Sequence, residues 1–539
     1  MSGRPPCDRG ILRAGRCASP APRNDSAWIL AATILASSMT FIDATVVNIA
    51  LPVIETELHA SIIAAEWIVV GYSLFLSALL LVGGSLGDHY GRKRIFVIGV
   101  LIFAIASVAC GAARNVNELV AARAVQGIGS ALLTPGSLAI IGASFDHRTR
   151  GKAIGTWSSF TAVTSAMAPA LGGWIVQHAS WRWIFYINVP LAVAVLVITW
   201  FRVPESRDPE DVGGLDWWGA GLGTLGLGGI TFGLIFSSVL GWINPFVLCA
   251  LAGGAGALVA FVFAEARGKA PMVPLDLFKS RIFSGVNLLT FLLYCALGGL
   301  LFLLPFNLIQ VQGYSPTAAG LSLLPFVALM FSLGRWAGGL ADKYGPGLPL
   351  TIGAAITAIG FALFALPGVG GSYWTTFFPA IAVMGLGLAL AVAPLTTAVM
   401  TSVTDARVGL ASAVNNAVAR VAGLVAVAAF NLIAIAVFST SLGRALATLH
   451  APHHVIDALW SGRLQMAALR PPPGTSASLA GEARAMVAAS YVSAFRATAV
   501  VAAAMALASA VIAGLTFGRL PKRDPISFLE RSALADRRL

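Results

Sequence analysis

The sequence predicts an all-α integral membrane protein of about fourteen transmembrane helices, arranged as two six-helix halves with two helices inserted between them. Three observations predict it. Of 539 residues, 57% are hydrophobic and only 11% charged, whereas a soluble chain carries roughly a quarter charged residues. There is too little polar side chain here to coat a water-facing surface. The hydrophobic residues also arrive in runs of about twenty, the length imposed by a hydrocarbon core of about 30 Å. Finally, Gly84, Asp88 and Gly91 recur at the same spacing as Gly338, Asp342 and Gly345, eight runs further on. That recurrence marks a six-run half repeated after two extra runs.

The first half comprises the runs 28–51, 62–86, 95–113, 119–143, 153–176 and 183–201. The inserted pair is 217–238 and 245–264, and the second half is 283–309, 318–340, 350–366, 375–401, 409–438 and 491–517. Each run is read as helix, because a segment in lipid must satisfy its own backbone. The resulting organisation is a basic tail 1–27, an N-terminal half 28–202, a linker with the inserted helices 203–282, and a C-terminal half 283–518. A long external loop, 439–490, interrupts the second half, and a second basic tail spans 519–539. Residues 1–24 hold Arg4, Arg9, Arg13, Arg16 and Arg23 but no apolar stretch of the kind found in a cleavable signal. The run from Trp28 is therefore expected to be a retained span. Basic residues gather in alternate loops: Arg92, Lys93 and Arg94, then Arg148, Arg150 and Lys152, then Arg267, Lys269 and later Lys343. The short loops between them hold only Arg114 and Arg182. This bias places both termini in the cytoplasm, with the protein in the cytoplasmic (inner or plasma) membrane.

Several function classes are set aside. The net charge of +12 follows from the loop bias, and no basic stretch interleaved with aromatics suggests nucleic acid as a partner. Cys7, Cys17, Cys110, Cys249 and Cys295 lie far apart without metal-ligand spacing. His450, His453 and His454 fall in the 439–490 loop and are read as chance histidines of a solvated segment, so no metal is expected. The glycine-rich run 219–229 lacks the Lys-Ser/Thr of a phosphate loop and is read as close helix packing. With no nucleophile–base pair and no nucleotide loop, the chain is not expected to be an enzyme or to carry a cofactor.

Asp43 lies about two-thirds along an otherwise apolar run, where a charged Asp costs roughly 2.5–3.5 kcal/mol on insertion scales. Such a carboxyl can take a proton when it faces outside and lose it when water or a cation reaches it. A structural Asp bonded to a neighbouring helix is the alternative. Arg123, just inside the fourth run, stays charged and should face the bundle interior, with Gln126 one turn on; anchoring at the membrane interface is the alternative there. Asp88 and Arg92 flank a turn in which Gly91 permits unusual backbone angles, and an acid beside a helix N-terminus can act as a breakable latch. In the second half, Asn415, Asn416 and Arg420 lie along the thirteenth run, and Asn416 and Arg420, one turn apart on one face, form a polar stripe that lipid would reject, which Asn307 could join. Asn48, Tyr72, Phe160 and Tyr294 are further candidates for a substrate cavity, alongside Phe302 and Phe306, although helix packing is the commoner fate of any one aromatic.

These residues carry a resemblance. Phe41–Pro52 (FIDATVVNIALP) resembles the first-helix signature of the fourteen-span drug:proton antiporters (EmrB/QacA type) of the major facilitator superfamily. Gly84–Arg94 (GSLGDHYGRKR) is similar to that superfamily's loop motif, and Arg123–Gly129 (RAVQGIG) to its fourth-span arginine motif. Trp181–Pro190 (WRWIFYINVP) and Leu215–Gly219 (LDWWG) resemble further signatures of the fourteen-span group. The fifth run carries Pro169, Gly172 and Gly173 of the antiporter motif, while Thr164 and Ala168 stand where the family has glycine. The resemblance implies a major facilitator fold and proton-driven export of small, lipophilic organic molecules such as drugs or antibiotics, by alternating access. It also implies proton coupling at Asp43 and Arg123, and a gating loop at Gly84, Asp88, Gly91 and Arg92, with Asp342 as the second-half counterpart. A metabolite exporter or solute symporter of the same fold, or a membrane sensor or scaffold that moves nothing, are the alternatives. Expected partners are a small-molecule substrate, protons and the bilayer, with a monomer as the working unit and a periplasmic adaptor as an option.

Overall fold

The computed structural model describes residues 25–145, 147–206, 216–268, 273, 275–403 and 408–517. Among them every regular element is helical. The first half consists of α1 (Ser26–Glu57), α2 (Ile62–Tyr90), α3 (Arg92–Ala112), α4 (Val116–Ser144), α5 (His147–His178), and the broken pair α6 (Trp183–Tyr186) and α7 (Asn188–Arg202). The inserted helices are α8 (Trp217–Leu240) and α9 (Pro245–Arg267). The second half runs through α10 (Arg281–Phe306), α11 (Pro316–Leu321), α12 (Leu324–Tyr344), α13 (Gly347–Leu363), α14 (Tyr373–Thr401), α15 (Val408–Thr448), α16 (His453–Ser461) and α17 (Ala477–Phe517).

Every expected run is helical. Among the described residues, twelve helical spans are long and apolar enough to cross a membrane, and α13 is a shorter apolar helix. The chain is therefore a multi-pass membrane protein. Helix starts are written locally. Ser61 accepts from Ala64 N at 3.3 Å, and Asn115 accepts from Glu118 N at 2.9 Å while Glu118 reaches back to Arg114 N at 2.9 Å. Ser315 caps α11, with Pro316 as its first residue. Each device supplies an acceptor to backbone N–H groups that have no partner inside the helix.

The structure departs from the sequence expectation in four places. The sixth run is broken at Ile187, between α6 and α7. A π-helical turn, Asn307–Val311, follows Pro305 at the end of α10. The tenth run is broken between α11 and α12. Most of the expected external loop is helix: α15 continues to Thr448, α16 and a 3-10 turn (Arg463–Ala468) follow, and α17 begins at Ala477. Hydropathy alone could not show this, because these extensions are amphipathic or small-residue helices beyond the apolar runs.

The halves meet at the end of the bundle remote from the termini, where α1, α5 and α10 finish and α2 and α11 begin. There α5 crosses α11 with backbone against backbone. A Cβ at Gly173 would stand 2.2 Å from the carbonyl oxygen of Pro316, and one at Gly320 would stand 2.1 Å from that of Pro169. Glycine at both places is what allows the approach. The same end carries hydrogen bonds between the halves, among them Gln310 to Glu55 at 2.8 Å, Asn431 to Glu66 at 2.5 Å and Thr317 N to Gln177 at 3.4 Å. Ala44, midway along α1, is exposed although α1 packs on α4, α5, α7 and α10, so a cleft reaches the middle of the bundle.

Candidate functional site

At the bottom of that cleft the first half buries a charged network. Asp43 on α1 and Arg123 on α4 are each 1% exposed and are paired through Asp43 Oδ2 and an Arg123 guanidinium nitrogen. Asp43 Oδ1 accepts from Gln126 Nε2 at 2.9 Å and from Asn188 Nδ2 at 3.4 Å. Ser107 on α3 accepts from the same two amides, at 2.9 and 3.4 Å. Arg123 also donates to Gln126 Oε1 at 2.6 Å and to the Ile68 carbonyl at 3.1 Å, and its guanidinium carbon lies 4.1 Å from the centre of the Tyr72 ring. Tyr72 is fixed in turn by a 2.9 Å bond between its hydroxyl and Ser130. Burying two charges is costly unless each is paired and its remaining lone pairs and protons are satisfied, and here α1, α2, α3, α4 and α7 all contribute to doing so.

Other expected residues occupy distinct surroundings. Asn48 is half-buried beside Ala44, with its Oδ1 buried and without a hydrogen-bond partner. Phe160 is 56% exposed, and Tyr294 is half-buried. Asn416 is exposed, and Arg420, one turn along α15, is half-buried without an ion-pair or hydrogen-bond partner among the described residues. Arg420 lies within electrostatic reach of Tyr72, so the second half presents a cation to the network of the first. Three candidates face inward instead of the cleft. Asn415 donates to Asn287 and Thr290 of α10 at 3.1 and 2.8 Å. Asn307 is 2% exposed and accepts from Gln312 at 3.1 Å. Tyr72 itself is buried beneath Arg123. Phe302 and Phe306 belong to the packed core.

The loop after α2 is built around Gly91, at φ 114. Asp88 accepts from Arg92 Nε at 2.8 Å. The acid at the start of α3, however, is Glu205, which accepts from the backbone of Lys93 and Arg94 at 3.0 and 3.2 Å. Gly84 sits at ordinary packing distance from Pro135 on α4. At the counterpart position α12 likewise ends on a Tyr-Gly pair, with Gly345 at φ 78, while the Asp342 side chain lies outside the described residues. On α5, Pro169 and Gly173 make the crossing with α11, and Gly172 leaves room for Val46 of α1, which a Cβ would meet at 2.5 Å. Thr164, in place of a family glycine, takes a 3.2 Å hydrogen bond from Ser38.

Sequence reasoning assigns no role to Ser107, Asn188, Glu55, Glu66 or Glu205. Asn188 sits inside a motif of the resemblance, and Glu66 is an acid within an apolar run; both could be raised on that ground. Ser107 has no signal, since a serine in a membrane helix is ordinary.

The geometry can be set beside known proteins. The model of the Major Facilitator Superfamily matches residues 33–216 and 213–427. The chain is 34% identical over 402 residues to the methylenomycin A resistance protein of Bacillus subtilis (strain 168), covering 74% of this chain and 86% of that one. It is 32% identical to the tetracenomycin C resistance and export protein of Streptomyces glaucescens, covering 73% of each. Among solved structures, a bacterial homologue of the human lysosomal transporter Spinster, in an inward-facing and occupied conformation, superposes with a TM-score of 0.62 at 18% identity, over 94% of this chain and 100% of that one. That likeness concerns the fold alone, and it agrees with a bundle of two halves around a cleft. Fold, motifs and relatives together place the chain in the major facilitator superfamily.

Proposed function

We propose that this protein exports small, lipophilic organic molecules, drugs or antibiotics among them, from the cytoplasm in exchange for protons, and that it belongs to the fourteen-span antiporter group of its superfamily. The observation that carries the reading is the Asp43–Arg123 pair, an ion pair 1% exposed in an apolar bundle at the base of the cleft between halves. A proton arriving on Asp43 removes the charge that holds Arg123. The guanidinium then needs another partner, and Gln126, Asn188 and Ser107 must redistribute their hydrogen bonds. Protonation is in this way tied to a rearrangement of α1, α3, α4 and α7. The named activities of the two relatives, resistance to one antibiotic and resistance with export of another, support drugs as the cargo and outward as the direction. With the termini in the cytoplasm, the end at which the halves meet would face outside.

The test is efflux of a panel of dyes and antibiotics from cells or proteoliposomes carrying wild-type or Asp43→Asn protein, with and without an imposed pH gradient. Gradient-dependent efflux by the wild type, lost in the variant, is expected. Equal efflux with the same gradient dependence would remove Asp43 from the mechanism. Uptake instead of efflux would favour a symporter.

A further inference from the structure

Two acids of the first half lie outside the Asp43 network and touch the second half. Glu66, on the first turns of α2, and Glu55, near the end of α1, are each 1% exposed. Neither forms an ion pair among the described residues. Each meets one side-chain amide of the opposite half: Glu66 Oε2 accepts from Asn431 Nδ2 on α15, and Glu55 Oε2 accepts from Gln310 Nε2 at 2.8 Å on the π-helical turn after α10. In both contacts the remaining atoms are left in the same way. Glu66 Oε1 and Asn431 Oδ1 are buried without a partner, and so are Glu55 Oε1 and Gln310 Oε1. An ionised carboxylate is only an acceptor, and so is the amide oxygen. Each acid–amide pair is therefore short of one donor, and one proton on the carboxyl supplies it. Leaving such acceptors unpaired is costly, and more so when the group is charged, which opposes closing the seam over ionised acids.

We propose that Glu66 and Glu55 are proton-binding sites of the closed seam between the halves, each a carboxylic acid clasped to an amide of the other half. On closing, a proton from the outer solution bonds to a carboxylate oxygen, and the O–H is sealed in. On opening, Asn431 and Gln310 withdraw, water reaches the acid, and the proton returns to the same solution. These protons are not carried across; they bias the gate, so that acid outside favours the outward-closed state and speeds the return step of the cycle. The inference rests on the proton-coupled reading above but concerns different residues.

The surroundings leave this role to the two acids. Around α2, the charged and titratable groups are Asp43, Glu55 and Glu57 of α1, Arg92, Lys93, Arg94 and Cys110 of α3, Glu118 and Arg123 of α4, Arg420 and Arg444 of α15, and Arg463 of the 3-10 turn; α8 has none. Arg123 is committed to Asp43, Gln126 and the Ile68 carbonyl. Around α1, the additional groups among the described side chains are His178 of α5, Arg182 before α6 and Tyr186 within it, and Arg202 of α7, while α10 brings Arg281, Tyr294 and Cys295 and Tyr314 precedes α11. Arg182 is paired with Glu57 and Arg202 with Asp25. Arg470 and Tyr491 are the two groups in electrostatic reach of Glu55, and Arg470 is held by the carbonyls of Ala467 and Leu469. Gln310, Arg470 and Arg484 line a cavity of about 470 Å³, on the Gln310 side of the Glu55 clasp.

The test uses the full-length protein in proteoliposomes, with its native cysteines replaced and spin labels at positions 59 and 372, on exposed far-end loops of the two halves. Distances are measured between the labels as outer pH is raised. The wild type is expected to move to the longer, open distance. The isosteric Glu55→Gln/Glu66→Gln variant, whose amides supply the missing N–H donor at any pH, should lose that shift and stay closed. Infrared spectroscopy of the unlabelled wild type provides a readout that needs no variant to fold. It should show a buried protonated carboxyl stretch at acid outer pH that disappears as the seam opens. A pH shift retained in the double Gln variant, an absent shift in the wild type, or no such carboxyl band would overturn the proposal. Gradient-driven drug transport is measured in the same vesicles. Its presence with an unaltered seam response rejects the clasps and leaves the exporter standing, whereas its absence in the wild type rejects the exporter whatever the seam does.

Discussion

Arg123 offers the sharpest measure of the buried network. It is held by Asp43, by Gln126 Oε1 at 2.6 Å, by the Ile68 carbonyl at 3.1 Å, and by the face of Tyr72. Arg123→Leu keeps the site filled but leaves the Asp43 carboxylate with only two neutral amide donors, Gln126 and Asn188. Removing one partner of a buried pair costs about 3–5 kcal/mol, or about two to four powers of ten in the unfolding constant. Asp43→Asn should fall near the lower end of that range, because the guanidinium keeps its neutral acceptors and its aromatic contact. In the double variant Asp43→Asn/Arg123→Leu no charge is stranded, so its loss should be smaller than the sum of the two singles by about 1–3 kcal/mol. The assay is reversible unfolding of purified protein in mixed micelles, followed by tryptophan fluorescence, for all four corners of the cycle. Additive losses, or an Arg123→Leu protein as stable as the wild type, would show that the two side chains do not share their burial cost, and would refute a network in which each charge depends on the other.

Other expectations follow from single contacts. Gly173→Ala places a methyl group 2.2 Å from the Pro316 carbonyl and should force α5 from α11; labels at the far end should report a wider seam and drug transport should fall, with Gly320→Ala behaving alike. Asn415→Ala, which deletes two bonds to α10, should lower stability by about 1–2 kcal/mol with the substrate panel unchanged. Arg420→Ala, by contrast, should alter which drugs are moved, anionic or zwitterionic ones most, at little cost in stability; competition assays across the panel distinguish the two. Glu205→Ala removes the acceptor of Lys93 N and Arg94 N and should cost about 1 kcal/mol, read as a lower unfolding midpoint.

The fold is largely written in hydropathy, because a bilayer imposes one element type and one length on almost every span. Asp43 and Arg123 are legible for a related reason: a charge in an apolar run must be explained. What escapes notice depends on distant partners. Glu55 lies just beyond the expected end of its run, where an acid reads as a residue at the membrane surface, and only the arrival of Gln310 buries it. Glu66 becomes singular through Asn431, on the far side of the molecule in sequence. Glu205 caps a helix that began more than a hundred residues earlier. Asn415 and Asn416 stand side by side in one run with equal claims to line a cavity, yet one is spent on α10 and the other is exposed.

The crossing of α5 and α11 is a joint made of main chain. Its fit rests on the absence of side chains at Gly173 and Gly320, so nothing in it reads the cargo. The side chains at Asn48, Phe160, Asn416 and Arg420 can accordingly be exchanged one by one while this contact between the halves keeps its fit.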